Sequence, residues 1–163
     1  MAAPDYFEFL GLPRRLNLDA AELQRRFYAL SRELHPDRFS RAPAAERERA
    51  LSASAVLNDA YRTLRDPIAR AEYALGGAGD TEQPPPELLE EVFEANEALA
   101  DSDADEIAAA HRRFSALLAE TDTSLPALFA RYDEGEPAAA DEIRAALARR
   151  RFLKKLVGRL ENV

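Results

Sequence analysis

His35, Pro36 and Asp37, consecutive in the chain, have the clearest chemical possibilities. A histidine and a carboxylate two residues apart could pass a proton, as in a small acid–base hydrolase. The proline argues for another use. It disfavours α geometry at the residue before it, so His35 must close any helix leading into it. The three residues then sit at the tip of a helical hairpin, with no nucleophile beside them and no pocket to exclude water. An exposed Asp37 carboxylate held at such a tip suits pairing with an arginine of another protein. The second histidine, His111, adjoins Arg112 and Arg113 and reads as a solvated surface residue.

A second group lies in an acidic stretch. Between Asp80 and Glu106 there are eleven carboxylates and no Lys or Arg. Leu88, Val92, Ala95 and Leu99 recur at helical spacing and define a core side. Leu89 and Phe93 fall about 90–130° from that stripe. Glu90, Glu94, Glu97 and Asp101 lie further round, on the outward side. Two large apolar side chains thus border water beside a row of carboxylates. In the last helix, Leu153, Val157, Leu160 and Ala146 define the core side, with Ile143 at its margin. Phe152 lies about 120° from that stripe. It needs either a neighbouring helix or a partner to cover it.

Several chemistries are excluded. The 163-residue sequence has no cysteine, hence no disulfide, thiolate nucleophile or Cys-held cluster. The two histidines fall in different segments, so no metal site and no cofactor are expected. No Gly-rich phosphate loop is present, so the chain is not expected to be an enzyme that binds ATP itself. The net charge is −8, which argues against nucleic acid as a partner. It is unevenly placed, with net +1 up to Leu75 and −9 from Gly76 onward. No apolar run could span a bilayer. Met1 to Asp5 lacks the features of a secretory signal, so a cytoplasmic location is expected.

The elements that position these residues are all helical. Ala, Leu, Glu and Arg dominate, and no alternating β-branched run appears. The fold class is therefore all-α. A short helix is expected near Asp5–Leu10, ended by Gly11-Leu12-Pro13. A second begins at Asp19, with Glu22 completing a capping box, and runs to Leu34. Its stripe is Leu23, Phe27, Leu30 and Leu34. Arg25 and Arg32 lie opposite the stripe and Arg26 to one side, with Glu22 and Glu33 diluting their charge. A third helix covers Ala44–Arg65, with stripe Ala50, Ala53, Leu57, Tyr61 and Leu64, and stops before Pro67. A fourth covers Ile68–Leu75. Residues 76–86 hold three glycines and three prolines and read as a linker. Glu87–Ala100, Ala104–Glu120, Leu125–Tyr132 and Ala138–Leu160 follow as helices, with a break or kink at Thr121–Pro126.

With those elements in place, residues 1–75 resemble a J domain, and in particular that of the HscB family of iron–sulfur cluster co-chaperones. The resemblance rests on Asp5-Tyr6-Phe7, Leu10-Gly11-Leu12-Pro13, His35-Pro36-Asp37-Arg38-Phe39 and the stretch Ser54 to Pro67. Arg70-Ala71-Glu72-Tyr73-Ala74-Leu75 points to HscB rather than to J proteins at large. More weakly, the resemblance extends over residues 87–163. It implies an N-terminal J domain (1–75), a linker (76–86) and a C-terminal three-helix bundle that binds a scaffold (87–163). His35, Pro36 and Asp37 would contact an HscA- or DnaK-like chaperone and trigger its ATP hydrolysis. Arg25, Arg26 and Arg32 would supply electrostatic docking, though the further basic residues usual near Tyr28, Ala29 and Glu33 are missing. The family pattern for binding the scaffold IscU carries over to Leu89, Phe93, Glu94, Glu97 and Phe152. Glu90 departs from it, standing where methionine is frequent. The function implied is scaffold delivery for iron–sulfur cluster assembly and transfer. The alternative is a general J-domain co-chaperone for unfolded clients, against which the Gly/Phe-rich and Cys-rich modules of larger J proteins are missing.

Overall fold

The computed structural model describes residues 2–77 and 83–163. The described residues are helical with no strand, and they divide into two compact units, 1–76 and 77–163. The middle of the expected 76–86 linker lies outside the described residues.

The first unit contains α1 (Tyr6–Phe9), α2 (Ala20–Glu33), α3 (Ala44–Arg65) and α4 (Pro67–Ala74). Asp5 caps α1 by accepting from the Glu8 N–H. Gly11 follows at φ +66°, a left-handed geometry that glycine adopts without steric cost. A Cβ there would also meet the Arg26 guanidinium at 3.3 Å. The Asp19 carboxylate accepts from the N–H groups of Ala21 and Glu22, as an N-cap should. The expected capping box is not what Glu22 forms. Its carboxylate turns forward to Arg25 and Arg26, whose charges outbid a single backbone N–H.

Antiparallel packing of α2 on α3 buries Leu23, Leu57, Ala60 and Leu64, and Phe27 stacks on Tyr61 with centroids 4.1 Å apart. The Arg70 to Leu75 stretch owes its residue types to packing. Arg70 is buried and donates from Nε to the Leu16 carbonyl and from Nη1 to the Leu64 carbonyl, both at 2.6 Å. Leu64 lies in the last turn of α3, where carbonyls have no intrahelical donor. Tyr73 stacks on Tyr6 at 4.6 Å, and its hydroxyl accepts from the Tyr6 N–H. α4 therefore fastens the start of the chain and the Leu16 segment to α3.

The second unit contains α5 (Leu89–Asp101), α6 (Ala104–Asp133) and α7 (Ala139–Glu161). Pro86–Leu88 forms a 3₁₀ turn before α5, so the helix starts two residues later than Glu87. Its core joins Leu88, Ala95, Ala110, Phe114, Leu153 and Leu160, with Val92, Leu99 and Val157 packed against them. The expected break at Thr121–Pro126 does not occur. α6 runs unbroken through Pro126. The hydroxyls of Thr121, Thr123 and Ser124 bond back to carbonyls of the preceding turn. Arg150 reaches from α7 to Asp122 at 2.7 Å, and Leu125 and Phe129 are buried. Packing against α7 along this length offsets the one bond that the proline removes. Ile143, expected at the margin, is fully buried.

Candidate functional site

The tip of the α2–α3 hairpin is built by Pro36. His35 is extended (φ −60°, ψ 132°), as the residue before a proline should be, and caps a 3₁₀ turn over Pro36–Phe39. The Asp37 N–H donates to His35 Nδ1 at 3.3 Å, and Arg38 N–H donates to the His35 carbonyl at 3.0 Å. Ser40 Oγ donates to the Asp37 carbonyl at 3.1 Å. These bonds fix the Asp37 backbone while leaving its side chain 92% exposed. Its carboxylate lies 3.6 Å from His35 Nδ1, too long for a hydrogen bond. The imidazole accepts from the turn's own backbone and so shapes the turn.

The three expected docking arginines differ in availability. Arg25 and Arg26 are both held by Glu22, at 2.5 and 2.9 Å. The Glu22 carboxyl is accordingly held below its ordinary value, first by the Arg25 hydrogen bond and then by Arg26. The Arg25 guanidinium is raised in return. Arg32 is exposed one helical turn before the tip. With Tyr28, Ser31, His35 and Arg38 it lines an open cleft of about 330 Å³. Tyr28 and Arg38 belong to this surface although charge counting along α2 did not select them.

In the second unit the exposed pair appears where the helical wheel places it. Leu89 is 56% and Phe93 63% exposed. Glu90 and Glu97 are exposed on the same helix. Glu94 is not a free carboxylate, because Arg113 of α6 pairs with it and also reaches Glu91 at 3.4 Å. Glu91 is buried, and its second oxygen has no hydrogen-bond partner among the described residues. No local pattern announces Arg113, which lies 19 residues from Glu94.

Phe152 needs a correction. It is 8% exposed and sits in the core cluster, with Lys155 Nζ 5.5 Å from its ring centre. α7 packs against both α5 and α6. A helix with two neighbours needs a wider apolar face than the single stripe assumed, and Phe152 covers the second side. His111 is also not simply solvated: it is half-buried, with Nε2 2.9 Å from a Glu161 carboxylate oxygen. Among the described residues no group of three His, Cys, Asp or Glu could hold a metal ion, and no helix is long and apolar enough to cross a membrane.

Comparison with known proteins agrees with both units. Residues 5–74 match the DnaJ domain family and residues 84–161 the HSCB C-terminal oligomerisation domain family. A co-chaperone protein HscB homolog of Azoarcus sp. is 34% identical over 97% of this chain and 92% of its own. The HscB homolog of Bordetella petrii is 48% identical over 48% of this chain, and that match spans only 46% of its own length. Among solved structures, the chaperone HscB from Vibrio cholerae aligns with a TM-score of 0.64 at 32% identity, covering 98% of this chain and 96% of its own. Human co-chaperone protein HscB aligns with a TM-score of 0.70 at 26% identity, covering 97% and 81%.

Proposed function

Since the chain belongs to the HscB family of co-chaperones, we propose that it delivers an iron–sulfur scaffold protein of the IscU type to an HscA- or DnaK-like chaperone and stimulates that chaperone's ATPase. The site of ATP hydrolysis belongs to the partner, and this chain is an activator and adaptor in the cytoplasm. The observation that supports the reading is that one chain presents two unlike exposed surfaces. One is a rigid turn that offers the Asp37 carboxylate to a cation. The other is an exposed Leu89–Phe93 pair flanked by Glu90 and Glu97.

On this reading His35 and Pro36 set the turn, Asp37 makes the triggering ion pair, and Arg32 steers the approach with Arg25 and Arg26 behind it. Leu89 and Phe93 supply the apolar contact with the scaffold, and Glu97 a carboxylate beside it. Glu94 contributes through its pair with Arg113, and Phe152 holds α7 in the bundle that presents α5. Glu90, standing where the family often has methionine, either weakens the apolar contact or matches a different scaffold surface.

The test has two arms. Steady-state ATPase of the purified chaperone is measured with and without this protein, then with Asp37→Asn. Binding to purified IscU is measured with Leu89 and Phe93 replaced by Ala. Stimulation lost in the first variant but kept in the second, and scaffold binding lost in the second but kept in the first, is the expected pattern. Equal stimulation by Asp37→Asn would refute the trigger. Unchanged IscU binding, or capture of mixed unfolded clients instead, would refute the scaffold assignment.

A further inference from the structure

The His-Pro-Asp turn has a second flank that the proposed function leaves unused. On the α3 side, Leu34, Pro36, Phe39, Arg47, Ala50 and Leu51 line a cleft of about 190 Å³. It shares no lining residue with the cleft around Arg32 and His35. Leu51 is 66% exposed. A lone exposed leucine needs no explanation. This one forms part of the wall of an otherwise apolar cleft whose floor includes the buried Ala50. The other large apolar side chains exposed among the described residues have different surroundings. Tyr28 lines the cleft around Arg32 and His35, Leu89 and Phe93 lie on the acidic helix α5, and Val163 is the last residue of the sequence.

We infer that this cleft is a socket for one apolar side chain of the partner chaperone, on a segment that also carries a carboxylate. The inference rests on the chaperone-docking reading above. Size sets the occupant: an apolar cavity of about 150 Å³ already admits benzene, so the cleft takes one Leu, Ile, Met or Phe side chain and is too small for a helix. Charge sets its neighbour. Arg47 is the one charged lining residue, and it makes no ion pair among the described residues. Continuity sets the partner. Pro36 is a wall of the cleft and Asp37 follows it directly, so a chaperone that pairs with Asp37 also covers the cleft mouth. His35 lines one cleft and Pro36 the other, and the partner straddles the turn. An acidic, apolar segment also exists on this chain, at Leu89–Phe93, so a second copy is the competing occupant.

The experiment titrates the full-length protein into the chaperone ATPase assay as wild type, Leu51→Ala, Leu51→Asp, Arg47→Glu and Asp37→Asn. Both socket residues are exposed, and circular dichroism melts check that the variants fold. Leu51→Ala should raise the half-saturating concentration about tenfold while leaving maximal stimulation in place, the ratio expected when one isobutyl contact is lost. Leu51→Asp should raise it further. Arg47→Glu should raise it at low ionic strength, with the difference shrinking as salt is added. Asp37→Asn should lower the maximum itself. A half-saturating concentration for Leu51→Ala and Leu51→Asp within twofold of wild type, with Asp37→Asn inactive, overturns the socket and leaves the docking reading standing. Full stimulation by Asp37→Asn overturns the docking reading and the socket with it. If Leu51→Asp instead abolishes self-association in sedimentation and leaves the ATPase titration unchanged, the occupant is a second copy and the inference is wrong.

Discussion

Replacing Arg70 by Leu tests whether the α4 staple holds the first unit together. The guanidinium donates to two carbonyls at 2.6 Å, those of Leu16 and Leu64. The Leu64 carbonyl lies in the last turn of α3, where the helix itself supplies no donor to replace Arg70. A hydrogen bond to a charged donor contributes about 1.5–3 kcal/mol, giving roughly 3–6 kcal/mol for the two that are lost. Burying the cation in the native protein has its own desolvation cost, several kcal/mol before its bonds offset it. A net loss of about 3 kcal/mol is expected, which for a unit of this size lowers the melting temperature by roughly 12–24 °C. Arg70→Lys can reach only one of the carbonyls and should lose about half as much. Urea unfolding followed by tyrosine fluorescence is the suitable assay, since four of the five tyrosines (Tyr6, Tyr28, Tyr61 and Tyr73) lie in this unit. Arg70→Leu within 1 kcal/mol of wild type would refute the reasoning. It would mean that the desolvation cost of the cation cancels its bonds, as happens at some buried ion pairs.

Further outcomes follow from the same geometry. Glu22→Gln frees Arg25 and Arg26 and should lower the half-saturating concentration for chaperone stimulation several-fold at low salt, an advantage that fades as salt screens it; titration of the ATPase at two ionic strengths checks this. Because the Glu22 carboxyl is depressed in the folded protein, its pairing is fully present above its ordinary value near 4.5 and is lost as pH falls through the lower folded value. The wild type and Glu22→Gln should therefore differ at neutral pH and converge in acid, which chemical-shift titration of the Glu22 carboxyl can follow. Phe152→Ala should destabilise the second unit by about 3–5 kcal/mol, whereas Phe93→Ala should change its stability by no more than about 0.5 kcal/mol. Thermal melts of the two variants separate them, and equal melting temperatures would contradict the burial assigned to Phe152.

The sequence alone determined the features that depend on neighbours along the chain. Pro36 forced His35 out of α geometry wherever the hairpin went. Asp19 capped its helix, and Pro67 ended α3 at Arg65. Helical spacing placed Leu89 and Phe93 outside the core stripe of α5, and both are exposed. These effects act over one or two turns, so they are legible before any tertiary contact exists. What only the tertiary structure decided concerns residues whose partners are far away. Phe152 is buried because α7 has two neighbouring helices, and a wheel built for one face leaves it outside. Pro126 stays inside α6 because α7 supports that turn. Glu94 is tied to Arg113 across 19 residues, and the Leu51 cleft needs the Pro36 turn folded against α3. The turn at His35-Pro36-Asp37 was therefore legible from the start, while the surfaces around it took shape only when distant helices packed.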